Sequence, residues 1–488
     1  LRDKPVAGSQ RKTGLDERQR FPFPHRPAAI RRVVEFLPTE NSPGIPLMKT
    51  ILLIDDDELC RKPAAALLRR AGWEVIEAPD GDSGIELALQ HRPEVILCDL
   101  LMPRVNGYHV CRTVREHPEL KTTRFIVISG RDFASDRQSA TEVGADDFLV
   151  KPFNFEELKA ALQKTTVPAA APLARPEPAT EPNLKPVADQ TTRVKFWGVR
   201  GSIPTPGQST VFFGGNTSCV EVRADGEIII LDAGSGIRPL GEALAAEFAG
   251  KPIELTLLVT HTHWDHIQGF PFFLPAYDAH NRVHILGYEG ARAGLASTLA
   301  GQMESPYFPI ALKQMPGNIV IEELKEMTFK VGSVPIEACF SNHPGVCVGY
   351  KVFTASGTIV YLPDNESFNA DSTKAHGGVL PGTIAENLAA FIRDVDVLII
   401  DAQYSAGEYQ SHVGWGHGCV DDVVHFALAG GVKRLFLFHH DPCHDDRTIS
   451  NKLMHARDLV RQAGGSMRVE AAREGEQFTL GPRAVAAM

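Results

Sequence analysis

The sequence predicts an α/β protein of two domains. The first is a doubly wound, five-stranded parallel sheet, and the second is a larger α/β domain with a high sheet content. Three observations carry this. The chain has 488 residues, too many for one hydrophobic core. From Ile51 to Lys164, short apolar runs alternate with amphipathic stretches, as expected of strands buried on both faces between helices. Residues 165–192, rich in Pro and Ala, then separate that pattern from a second one. Such composition makes an extended linker and no core.

Residues 1–47 carry many Arg and Pro and no sustained apolar period, so they read as a disordered leader. Met48 directly precedes "KTILLIDDD" and is the expected natural start, with a genuine basic tail as the alternative. The first domain, 48–164, has strand runs "ILLI", "EVIEA", "EVILCDL", "FIVIS" and "DFLV", with helical stretches such as "AAALLRRAG" between them. Its last helix, "NFEELKAALQK", ends near Lys164. Pro63 is expected to delay or bend the first helix. The second domain, 193–488, shows strand-like runs "VKFWG", "SCVEV", "EIIILDAG", "IELTLLVTH", "RVHILG", "VGYKVF", "TIVYLPD", "DVLIIDA" and "RLFLFHH". "LGEALAAEFAG" and "CVDDVVHFALAGG" read as helices between them, and no internal repeat is visible.

Net charge is −10, without a long Lys/Arg run in the ordered parts. That argues against an extended nucleic-acid partner and leaves a small phosphodiester open. Eight cysteines without a CxxC pair suggest a reducing compartment, no disulfide framework and no Cys-rich zinc site. No apolar run is long enough to span a bilayer, and the N-terminus lacks a signal-peptide stretch. The cytoplasm is the expected location, with no membrane partner.

Asp55 and Asp56 follow the first strand and Asp99 follows the third. In an open parallel sheet these positions lie at the carboxyl edge, where ligands bind. Three converging carboxylates repel one another, and a hard cation such as Mg2+ relieves that. Ser129 ends the fourth strand and Lys151 follows the fifth. A carboxylate can attack phosphorus, with Mg2+ and a lysine neutralising the phosphoryl oxygens. Residues 49–164 closely resemble a response-regulator receiver, through Asp55-Asp56, "DLLMP", Ser129, Phe148 and Lys151-Pro152. The resemblance implies Asp99 as phosphoacceptor, Ser129 as switch hydroxyl and Phe148 as switch aromatic. It implies Mg2+ held by Asp56, Asp99 and the Leu101 carbonyl, with Asp55 acting through water, and a sensor histidine kinase as partner. Gly130 departs from the pattern, where Ala is commoner.

In "LLVTHTHWDH" a strand runs into His261. Alternation puts His261 and His263 on one side, and Asp265 and His266 open a helix. Imidazole and carboxylate suit zinc, iron or manganese. Four ligands from one loop cannot close two metal shells. His343 in "CFSNHPG", Asp364 in "TIVYLPDNE", and His439 and His440 in "LFLFHHDP" each end or follow a strand-like run. His280, His284 and His425 read as surface or satisfied core residues.

Residues 193–482 resemble the metallo-β-lactamase fold through the HxHxDH motif. "WGVRGSIPTPG", "FGGNTSC" and "LDAGSGIR" are similar to the opening segments of its phosphodiesterase and ribonuclease Z branch. The resemblance implies an αββα sandwich holding two zinc ions, or iron or manganese. His261, His263 and His343 would hold one metal. Asp265, His266 and His439 would hold the other, and Asp364 would bridge them. His439 is preferred to His440 because it lies one position nearer the strand. Asp265 would also accept a proton. His417, in "GWGHGCVDD", would protonate the leaving alkoxide, although Gly418 and Cys419 stand where the branch has Ser and Thr.

These readings join into a response regulator whose output is a binuclear-metal hydrolase, controlled by phosphorylation of Asp99. A small phosphodiester such as a cyclic nucleotide is the expected substrate. Nothing between Ile267 and His343 looks like a basic tRNA-binding arm, and the chain is acidic. The linker transmits strain poorly, so coupling is expected through docking or dimerisation of receivers, a homodimer among the forms. The same site could open lactones or thioesters or hold redox iron. The third class is a phospho-dependent docking protein, but a structural zinc shell needs four ligands, not seven.

Overall fold

Five apolar runs fold as β1 (Thr50–Ile54), β2 (Glu74–Ala78), β3 (Val95–Asp99), β4 (Arg124–Ser129) and β5 (Asp147–Val150). In this computed structural model the described residues are 50–163 (Pro152 and Asn154 apart), 191–288, 294–367 (Pro306 apart) and 382–481. The leader, Met48, Pro152 and nearly all of the expected linker lie outside them. The strands pair in the order β2-β1-β3-β4-β5, all parallel. β3 and β4 are buried throughout, which is why they read as unbroken apolar runs. Between the strands lie α1 (Glu58–Arg70), α2 (Gly81–His91), α3 (Gly107–Glu116) and α4 (Ala134–Glu142), and α5 (Phe155–Gln163) follows. Asp57, Asp80 and Asn106 cap α1, α2 and α3 by accepting from backbone N–H groups, each satisfying a donor the helix leaves unpaired. Pro63 does not delay α1, which begins five residues before it under the Asp57 cap. The N–H that Pro63 lacks would have bonded the carbonyl of Leu59. Leu59 is 82% exposed, so water can serve that carbonyl.

The second domain begins with β6 (Thr192–Gly198), one residue before the expected boundary. β7 (Cys219–Ala224), β8 (Glu227–Leu231), α6 (Ile237–Phe248), β9 (Glu254–Val259), α7 (Trp264–Ile267), β10 (Arg282–Gly287) and α8 (Leu295–Gly301) follow. β11 (Asn318–Glu323), β12 (Thr328–Val331), β13 (Val334–Phe340), β14 (Val348–Thr354) and β15 (Gly357–Leu362) come next. The rest is α9 (Gly382–Phe391), β16 (Val397–Asp401), α10 (Ala406–Tyr409), α11 (Val420–Ala429), β17 (Arg434–Phe438), α12 (Asp446–Gln462), β18 (Arg468–Ala471) and β19 (Gln477–Leu480).

Two seven-stranded sheets result, β11-β10-β9-β8-β7-β6-β19 and β12-β13-β14-β15-β16-β17-β18. In the first, β19, β6, β7 and β8 are antiparallel neighbours, and β8 to β11 are parallel. The second repeats this, antiparallel from β12 to β15 and parallel from β15 to β18. The sheets thus share a pairing pattern that no sequence repeat announces. Apolar residues of both, among them Phe196, Val222, Tyr350, Tyr361, Phe436 and Phe438, form one buried cluster. Ile237, Leu240 and Leu244 of α6 pack with the outer side chains of the first sheet. Val423 and Val424 of α11 and Ile449 and Ala456 of α12 do so on the second. The layers are helix, sheet, sheet, helix, as the α/β reading requires.

The inter-sheet cluster also takes in Leu100, Met102 and Tyr108 of the first domain, beside Leu286, Tyr288 and Val346 of the second. Met48–Met488 accordingly form one compact unit. Among the described residues no helix is long and apolar enough to cross a membrane.

Candidate metal centre and phosphoacceptor site

Parallel pairing aligns strand ends, and the candidate residues follow those ends. In the first domain Ile54 of β1 pairs with Cys98 of β3, which puts Asp55 beside Asp99. Lys151 Nζ reaches both, 2.8 Å from Asp55 Oδ2 and 2.9 Å from Asp99 Oδ1. Carboxylate oxygens of Asp55, Asp56 and Asp99 lie within 4.8 Å of one another. Three oxygen donors so close fit a hard cation. Burial pushes the Asp99 carboxyl up, against the pull of Lys151. Leu101 follows two residues after Asp99, outside β3. Ser129, buried at the end of β4, accepts a hydrogen bond from Arg131 N at 3.1 Å. Phe148 is buried in β5, with the Arg137 guanidinium 4.9 Å from its ring centre.

In the second domain the structure brings together all seven residues expected to hold metal. Ring nitrogens of His261, His263 and His343 converge within 4.8 Å, and so do donor atoms of Asp265, His266 and His439. Asp364 stands with both sets. It groups with His261 and His266, and its carboxylate lies 2.8 Å from His266 Nε2 and 3.2 Å from His439 Nε2. His417 joins the same cluster, its Nδ1 2.8 Å from Asp401 and 3.3 Å from Asp364. His440 does not, because its Nε2 is turned to Ala472 O at 2.9 Å. The lone histidines stay apart, with His280 and His284 pairing with Asp278 and Glu322.

Each clustered ring except His263 has its outer nitrogen occupied. His266 Nδ1 meets Asp232 at 2.8 Å, His343 Nδ1 meets Gly416 O at 2.9 Å, and His439 Nδ1 meets Gln403 Oε1 at 3.1 Å. His261 Nδ1 lies 3.1 Å from Thr260 Oγ1. The Nε2 atoms therefore face inward, and that of His261 is buried with no hydrogen-bond partner. An orphaned buried nitrogen within such a donor set fits a bound metal. Burial, reinforced by His266 and His263, holds His261 well below its usual pKa, which suits a neutral imidazole as a metal donor. Burial works against ionised Asp265 and Asp364, but the surrounding imidazoles outweigh it and lower both.

Asp232, Asp401 and Glu366 had no role in the sequence reading. Asp232 is fully buried and accepts from Thr260 N, Thr260 Oγ1 and Tyr361 OH besides facing His266. Its φ of 62° and the 57° of His439 are left-handed, a strain non-glycine residues tolerate where surroundings impose it. "LDAGSGIR" held the only signal for it. Gly201 is dictated by contact, since a Cβ there would lie 2.4 Å from the His439 ring. Asp232→Asn is expected to weaken metal binding about 10- to 100-fold, the usual cost of losing a carboxylate behind a ligating histidine. Titration against a chelator measures it.

Residues 51–163 match the family model of the response regulator receiver domain, and residues 213–354 match that of the metallo-beta-lactamase superfamily. The chain is 35% identical over 123 residues to protein PilG of Pseudomonas aeruginosa, covering 25% of this chain and 90% of PilG. It is 35% identical over 146 residues to response regulator MprA of Mycobacterium sp. (strain KMS), 29% of this chain and 63% of that protein. The metallo-beta-lactamase fold protein YhfI from Bacillus subtilis is 16% identical, with 60% of this chain and 100% of that chain covered and a TM-score of 0.43. The chain belongs to the response regulator receiver family. It joins its receiver to a metallo-β-lactamase domain.

Proposed function

We propose that the protein is a response regulator whose second domain is a two-metal phosphodiesterase, switched by phosphorylation of Asp99. The domains are read as 48–164 and 193–488, joined by 165–192. The observation that carries the hydrolase reading is the pair of ligand triads sharing Asp364. His261, His263 and His343 would hold one metal, and Asp265, His266 and His439 the second, as zinc, iron or manganese. Bound as a pair, such ions lower the pKa of water and neutralise a phosphodiester.

The chain's own groups do the rest. The Asp265 carboxylate, ionised and buried, takes the proton of the attacking water. His417 returns one to the leaving alkoxide. Burial opposes charge on His417, but Asp401, Asp364 and Asp265 outweigh it and raise its pKa to about 9, so it carries a proton at neutral pH. Trp264, between His263 and Asp265, and Trp415, two residues before His417, are 71% and 60% exposed. Their exposure beside the cluster supports a substrate with a nucleobase. A sensor histidine kinase is the proposed donor to Asp99, Mg2+ the proposed cofactor there, and the cytoplasm the proposed location.

Elemental analysis with a panel of phosphodiesters and lactones tests this. About two metals per chain are expected, with bis(p-nitrophenyl) phosphate turned over faster than any lactone. A metal ratio near one, unchanged by Asp364→Ala, sinks the two-metal assignment. Turnover of lactones alone turns the reading to the carbonyl alternative.

A further inference from the structure

His343 stands at the junction of the two domains. Its ring faces the metal centre, with Nε2 3.0 Å from His263 Nδ1. Its backbone faces the receiver. Arg131, two residues past β4, donates through Nη1 to the carbonyls of His343 and, at 3.3 Å, Ser341. Through Nη2 it donates to Gly345 O at 2.7 Å. Asp136 of α4 closes the same turn by accepting from Gly345 N at 2.8 Å, and its other oxygen lies 3.2 Å from Arg131 Nη2. Nearby, Tyr288 OH donates to Met102 O of the receiver at 2.6 Å.

The Arg131 and Asp136 side chains are 1% and 0% exposed. A buried ion pair stabilises no more than apolar packing of the same size, so a geometric role is the better account. A guanidinium presents several donors in one rigid plane, and here they serve three carbonyls of one turn. From that turn the bonds continue inward. Asn342 and Glu366 exchange backbone and side-chain hydrogen bonds, and the Glu366 carboxylate accepts from Gly414 N and Gly416 N, next to His417. From Arg131 they also lead back to Ser129 Oγ. Asp99 and Ile128 are register partners, and Leu100 N donates to Ile128 O.

We propose that Arg131 of the receiver is a positioning residue for the metal centre of the second domain: by clamping the Ser341–Gly345 turn, it fixes where His343 presents its ring. The inference rests on reading His343 as a metal ligand. It makes the receiver a structural part of the hydrolytic site.

The test uses the full chain as parent, Arg131→Ala and Arg131→Lys, with and without metal. Amide exchange across residues 341–347 reads the clamp without reference to metal or turnover. Chelator competition reads metal affinity, and steady-state kinetics with bis(p-nitrophenyl) phosphate separate kcat from KM. Arg131→Ala is expected to speed exchange in that segment, to weaken one metal about 10-fold or more as loss of ligand support does, and to lower kcat with KM unchanged. Arg131→Lys should recover part of each, because one ammonium cannot reach all three carbonyls, and it carries the test if the alanine variant does not fold. Faster exchange with metal affinity and kcat at parent values overturns the proposal and leaves Arg131 as junction packing alone. Unchanged exchange overturns it outright. A parent that binds fewer than two metals overturns the two-metal reading instead, while exchange still reports whether the turn is clamped.

Discussion

Asp265→Ala is expected to cost kcat about 100- to 1,000-fold, as removal of one charge-stabilising group at a reacting centre does, while the domain still folds. Asp265 is 6% exposed, on the single turn of α7, and belongs to none of the apolar clusters. Its Oδ2 lies 3.1 Å from His439 Nε2 and 3.2 Å from His266 Nε2 and accepts from Ser202 N at 2.7 Å. The structural loss is the Ser202 bond, worth about 1–3 kcal/mol if the N–H stays unpaired. That is a fraction of the roughly 5–15 kcal/mol holding a domain folded. The functional loss, on the proposed reading, is the group that would both complete a ligand triad and take the proton. Thermal unfolding, metal content and turnover of bis(p-nitrophenyl) phosphate separate the two. A variant that folds, keeps both metals and turns over at the parent rate removes Asp265 from the chemistry.

Much of this site is legible in the sequence because its candidate ligands follow strands. A strand that stops two residues before His261 and a helix that opens just before Asp265 put four groups in seven residues, and His343, Asp364 and His439 each follow an apolar run. Asp232 and Asp401 also follow apolar runs, but one carboxylate at a strand end is as often a cap or a turn. Asp232 acquires meaning only when folding brings it to His266, 34 residues on. Arg131 is harder still, since its partners lie more than two hundred residues away and are backbone oxygens, which carry no residue identity. The same limit explains the strands that pattern misses. β11, β12, β18 and β19 are sheet edges, three of them only four residues long and too short for a period to register, and β13 carries Pro335 beside the edge. The linker composition, 165–192, suggested coupling through docking. The packed contacts of Arg131, Asp136 and Tyr288 supply a docked surface, but two of the three lie just past strand ends and the third in the first turn of a helix, positions with no period to read.

Asp99→Asn is expected to remove phosphorylation by a histidine kinase or a small phosphoryl donor in Mg2+ completely. The amide has no anionic oxygen to attack phosphorus. Asp55 is held by Lys151 and accepts from Asp57 N, and Asp56 is exposed at the rim. The label in the parent should be base-labile, as an acyl phosphate is, and the variant should carry none. Labelling that persists in Asp99→Asn points to another acceptor. The same substitution should leave the output unresponsive to phosphoryl donors. A phosphoryl group brings about 1.5 to 2 negative charges beside Lys151, Ser129 and, through Ser129, Arg131. Disturbing a clamp on the His343 turn changes a rate without supplying or deleting a catalytic group. Beryllofluoride should therefore shift turnover by about 5- to 150-fold, the usual span of coupling between two sites, in the parent and not in Asp99→Asn. A parent that takes the label yet ignores beryllofluoride across a range of protein concentrations would mean that phosphorylation stops at the receiver. The junction would then hold the metal site in shape without controlling it.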